Sequence, residues 1–98
     1  MTPAEARSLA LSFDGASERD HHGFPSFRTR RRIFATLPDQ GHLRVMLPEG
    51  EVRAAAEEWP WCEELWWGKR LSAVQVILGD CDAAVVTELL EDAWRHAG

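Results

Sequence analysis

Four guanidinium groups fall within five residues of this chain, at Arg28, Arg30, Arg31 and Arg32. A second basic point, Lys69-Arg70, follows two adjacent tryptophans, Trp66 and Trp67. Arginine forks match the geometry of phosphate oxygens, and each contact to a nucleic-acid backbone releases condensed counterions. An indole beside such cations could stack on a base. The six residues therefore form a candidate surface for double-stranded DNA. Read structurally, the same arginines are the solvated residues of a turn, paired in part with nearby acids, and paired tryptophans more often pack than stack on a ligand.

Other residues with chemical potential are less productive. His21 and His22 follow Asp20, but adjacent histidines on an extended segment point in different directions, and His42 and His96 lie far off in sequence. Glu57, Glu58, Glu63 and Glu64 read as solvated faces rather than a metal-binding ridge. Cys62 and Cys81 have no partner at ligand spacing and read as idle thiols of a reducing cytosol. No nucleophile elbow, phosphate-binding glycine loop or zinc spacing occurs. The expectation is a binding module rather than an enzyme, with no metal and no cofactor.

Composition bounds the rest. The 98 residues are 45% hydrophobic, with five tryptophans, which suits one globular domain over residues 1–98 with a single core. No apolar run is long enough to span a bilayer, and the first residues lack a secretory signal, so the expected location is cytoplasmic. The net charge is −5, but it is segregated. Residues 19–46 carry six arginines against Asp20 and Asp39, whereas the residues after them are strongly acidic. Such segregation can give an acidic protein a local positive face.

The elements that must position these residues follow from periodicity. Thr2, Pro3 and Glu5 spell a capping box, Ala6, Leu9, Ala10 and Phe13 mark one helical face, and Gly15 ends the helix. Glu18 to Gly23 reads as an irregular polar stretch. Short strands are expected around Phe27, over Ile33–Leu37 and over Leu43–Leu47, joined by Thr29-Arg30-Arg31 and by the turn Pro38–Gly41. Val52, Ala55, Ala56 and Trp59 predict a second helix that Pro60 stops. Leu65-Trp66-Trp67 begins a further strand, and Val74, Val76 and Leu78 alternate in another. Asp80 or Asp82 caps a last helix whose stripe is Val86, Leu89, Leu90, Ala93, Trp94 and Ala97. The predicted fold is α+β, an antiparallel sheet of about five strands with helices mainly on one face, in the order α-β-β-β-α-β-β-α.

Several local patterns occur in a telling order. They are Glu5-Ala6-Arg7-x-x-Ala10-Leu11, His22-Gly23-x-Pro25-Ser26-Phe27-Arg28, Ile33-Phe34-Ala35-Thr36-Leu37, Trp67-Gly68-Lys69-Arg70 and Glu88-Leu89-Leu90-Glu91-Asp92-Ala93-Trp94. Together they resemble the MmcQ/YjbR family of small bacterial proteins over nearly the whole chain. The resemblance implies a fold like that of the frataxin homologue CyaY, and a DNA-binding role. Two departures stand out. Thr29-Arg30-Arg31-Arg32 replaces a turn that in the family commonly carries Gly and one Lys, and Leu71-Ser72 replaces a Gly-Trp tendency after Arg70. The first adds positive charge; the second removes an aromatic ring. A frataxin-like fold by itself imports no iron chemistry. Two function classes stay open on the residues. One is a DNA-binding module acting through Arg28, Arg30, Arg31, Arg32, Lys69 and Arg70. The other is a protein- or small-molecule-binding domain with a Trp-rich surface at Trp61, Trp66 and Trp67.

Overall fold

The computed structural model describes residues 1–98. Its elements are α1 (Pro3–Leu11), β1 (Ser17–His21), β2 (Phe24–Arg28), β3 (Ile33–Thr36), β4 (His42–Met46), α2 (Glu49–Glu58), β5 (Cys62–Trp67), β6 (Arg70–Ile77) and α3 (Ala83–Ala97). The strands form one antiparallel sheet in the order β1-β2-β3-β4-β6-β5. The expected α+β order holds, extended by one strand to give six.

That added strand is β1, where the sequence suggested irregular backbone. Ser17-Glu18-Arg19-Asp20-His21 has no apolar alternation because β1 is an edge strand, paired with β2 alone. Charged side chains on such an edge discourage pairing with other chains. The β1–β2 loop is His22-Gly23, both at positive φ (54° and 90°), as a type I′ hairpin turn requires. This turn duty is the structural role of His22. The opposite edge, β5, is equally polar at Glu63 and Glu64, and it starts at Cys62, earlier than the apolar Leu65 suggested.

Phe27, Ala35, Val45 and Val74 stand in register across β2, β3, β4 and β6, and all four are fully buried. The three helices cover this row: α3 packs on β3 and β4, α2 on β5 and β6, and α1 on β4. The β2–β3 register skips Phe34, a β-bulge that lets Phe34 and Ala35 both be buried where strict alternation would expose one. Phe34 then meets the edge of Phe13, which stacks on Trp94 of α3. Phe13 does this from beyond the end of α1, not from a helical face. One core of 21 buried residues results. The opposite face carries a polar row in register, Arg19, Ser26, Thr36, Arg44, Gln75 and Glu63, in which Arg44 donates to Gln75.

Termini of the elements follow their local chemistry. Thr2 and Glu5 form the reciprocal capping box, and the Thr2 contacts lower the Glu5 pKa. Trp59, ahead of Pro60, is extended and ends α2. Asp82, not Asp80, caps α3 by accepting from the N–H groups of Ala84 and Val85. Both cysteines are free, and burial pushes the Cys62 thiol up to about 11, so it stays protonated at neutral pH. No helix is long and apolar enough to cross a membrane.

Two substitutions probe this packing. Phe34→Ala should cost about 3–5 kcal/mol in urea unfolding, since it empties the bulged core position. Thr36→Val should instead stabilise the protein by about 1 kcal/mol, because the Thr36 hydroxyl is buried with no hydrogen-bond partner and valine keeps its shape.

Candidate nucleic-acid interface

The strand order decides where the basic residues end up. The β2–β3 turn and the β5–β6 turn leave the same end of the sheet, since β3 and β6 both start there and β4 ends between them. Their centres are three strand spacings apart, about 14 Å. The β4–α2 connection, Leu47-Pro48, and the C-terminal end of α3 reach the same region.

The first turn is held by one side chain. The Thr29 N–H donates to the Arg32 carbonyl (3.1 Å), and Thr29 Oγ1 accepts from the Arg31 N–H (3.1 Å). The same hydroxyl donates to the Ala97 carbonyl at 2.8 Å, near the last turn of α3. The turn is thus folded on itself and fastened to a helix 68 residues away in sequence. The second turn is the two-residue loop Gly68-Lys69, with Gly68 at φ 63°, a value glycine adopts without strain.

Held this way, the arginines diverge. Arg32 lines a cleft of about 540 Å³ together with Arg70, Trp67 and His96. Its apolar surface comes from Ile33, Met46, Leu47, Leu71, Ala93 and Ala97, and Pro48 and Glu49 at the start of α2 close one side. Arg30 and Arg31 line a second concavity of about 440 Å³, with Thr29, Trp94, Arg95, Asp14, Gly15 and Gly98. Arg28 stands on β2 itself, in register with Ser17 and Ile33, and lines neither. Lys69 is exposed in its turn and also lies outside both linings. The expected six-residue cluster is therefore a strip along one end of the sheet, running from Arg30 and Arg31 through Arg32 to Arg70 and Lys69, with Arg28 to one side.

No carboxylate reaches salt-bridge distance of any of these six cations. Six of the sixteen acids pair elsewhere: Glu18 with Arg7, Glu49 and Glu64 with Arg53, Glu91 with Arg95, Asp39 with His42 and Glu51 with His96. The hydrogen bonds that Arg53 donates to Glu49 raise the Arg53 pKa further. Glu51 Oε2 lies 3.0 Å from His96 Nε2 without the alignment of a hydrogen bond. Asp39 is held below its usual carboxylate range by the Gly41 N–H and by His42, at the far end of the sheet.

The tryptophans divide as well. Trp61, expected on a recognition surface, is buried and stacked on Trp59, because the chain turns inward between α2 and β5. Trp66 is 43% exposed but engaged: Arg53 lies over its ring and its Nε1–H donates to Glu64. Trp67, 52% exposed, makes no such contact and lines the cleft beside Arg70. Sequence reasoning missed Arg95 and His96 as neighbours of the basic strip. Their position in the last turn of α3 is a helix-end signal, which gives no hint of the turn lying against them.

Comparison with known proteins supports the fold. The family model described as YjbR matches residues 11–96. A crystal structure of a protein from Pseudomonas syringae, a structural-genomics target, is similar over 100% of both chains with a TM-score of 0.76 at 13% identity, a likeness of fold alone. No curated protein matches the chain.

The Thr29 hydroxyl carries a testable share of this geometry. Thr29→Val should lower stability by about 1 kcal/mol and speed amide hydrogen exchange at Arg31, whose N–H loses its acceptor. Unchanged exchange at Arg31 would mean that the turn is held by other contacts.

Proposed function

This chain belongs to the YjbR family, and we propose that it is a non-enzymatic module that binds double-stranded DNA through the basic strip at one end of its sheet. The observation that carries this reading is the placement of Arg30, Arg31, Arg32, Lys69 and Arg70 on two turns at the same sheet end, none of them neutralised by a carboxylate. The turns, about 14 Å apart, match the scale of a major groove about 12 Å wide. Phosphates on either side would meet one turn each.

The overall charge of −5 opposes such binding only weakly. Charges separated by more than a Debye length, about 8 Å at physiological salt, are largely screened. The molecule measures 30 × 27 × 24 Å, so acids on its far surfaces act feebly on a phosphate at the strip. Contacts of this kind position the protein on the backbone and carry no sequence information by themselves. The proposal includes a cytoplasmic location, where such a duplex is accessible in a bacterium.

A fluorescein-labelled duplex followed by anisotropy tests the reading. Affinity should fall steeply between about 50 and 200 mM salt, with a log–log slope of about −0.9 per phosphate contact. Changing Arg32 and Arg70 together to alanine should make that slope shallower by about 2. The absence of binding at about 50 mM salt, or a slope indifferent to both arginines, would overturn it.

A further inference from the structure

The 540 Å³ cleft has a composition that phosphate binding does not use. Here two guanidiniums stand at the rim of a concavity floored by Leu47, Leu71 and Ala97, with a half-exposed indole, Trp67, at one side. The volume falls within the range of small-molecule sites, roughly 300–1,000 Å³. Bare inorganic anions would leave the apolar floor wetted, and an uncharged ligand would forgo both arginines.

We infer that this cleft is a site for a small amphipathic carboxylate with a flat aromatic body. The ring system lies on the floor against Trp67, in the offset or edge geometry that aromatic pairs prefer. The carboxylate sits between Arg32 and Arg70, whose planar forks donate paired N–H···O bonds to it. Polarity at the wall agrees with this orientation. Pro48 begins α2 without a side-chain cap, and Pro48 and Glu49 line the cleft, so the positive end of that helix lies at its side. The one acid in the lining, Glu49, is held by Arg53 at 2.8 Å. The negative end of α3 is occupied as well, since Thr29 donates to the Ala97 carbonyl and the Gly98 N–H to that of Arg95.

This inference stands without the nucleic-acid reading, because it concerns the floor of the cleft as well as its rim. The test uses the full chain, ¹⁵N-labelled, titrated with 1-naphthaleneacetate and, separately, with the neutral 1-naphthaleneacetamide. The acid should shift the Trp67 indole N–H and the Gly50 amide and bind about tenfold more tightly than the amide. Arg32→Ala and Arg70→Ala should each remove most of that preference, weakening acid binding far more than amide binding. If either alanine variant loses the dispersed spectrum of a folded protein, Arg70→Lys answers instead: it keeps the charge but not the fork, and should lose most of the preference. Equal binding of acid and amide, shifts centred away from Trp67, or no shifts at all would each overturn the proposal. Duplex binding, measured separately, can succeed or fail in any of these cases.

Discussion

Thr29 offers one hydroxyl to two tasks. It accepts from the backbone of the turn that carries Arg30, Arg31 and Arg32, and it donates to the Ala97 carbonyl of α3. Without that link the turn would be a free hairpin end, and its three guanidiniums would spread their charge through solvent. With it, residues 30–32 are set against the last turn of a helix that is itself fixed by Val86, Leu90 and Ala93 in the core. Both concavities at this end of the molecule have a wall made of that helix and a wall made of that turn. Arg30, Arg31 and Arg32 are therefore tied to the core by a side-chain hydrogen bond as well as by their strands, whereas Lys69 and Arg70 depend on the β5–β6 hairpin alone.

How much of this was legible in the sequence depends on whether the signal is local. Thr2-Pro3-x-Glu5 and the stripe from Val86 to Ala97 report their helices directly, because capping and 3.6-residue periodicity are properties of a few turns of chain. The central strands were equally plain at Leu43, Val45, Val74 and Val76, whose alternation reflects one buried and one half-buried face. The edge strands were not. Ser17–His21 and Cys62–Glu64 are held by backbone ladders on one side, and apart from the buried Cys62 their side chains are largely solvated, so neither carries the apolar period that betrays a strand. Phe34 and Ala35, both buried, break alternation for a different reason, the bulge. The chain's regularity was visible wherever burial is regular.

The candidate site was legible as residue types and illegible as geometry. Arg28 to Arg32 reads as one cluster, yet the folded turn sends Arg30 and Arg31 to one concavity and Arg32 to another, while Arg28 stays on its strand. Arg32 and Arg70, 38 positions apart in sequence, come to share a cleft only because β4 is inserted between β3 and β6. That is a property of strand order, which no local pattern encodes. Trp61 and Trp67 show the same limit, since six residues separate an indole in the core from one at the surface.

Net charge is an equally poor guide here, and one reason is that the acids nearest the cleft are paired. Arg7, Arg53 and Arg95 stand on helices or beside them and hold carboxylates within their own neighbourhood. Exposed pairs of this kind add little stability. Their consequence is electrostatic: acids neutralised where they stand are not drawn toward the turns. A protein with a surplus of acids can then keep a run of unpaired guanidiniums at one end, provided that its helices carry enough arginine to occupy the nearest carboxylates. Arg53 is the clearest instance, since it lies within salt-bridge distance of both Glu49 at the cleft mouth and Glu64 on the edge strand. The positive character of the cleft thus rests as much on a cation outside its lining as on the two within it.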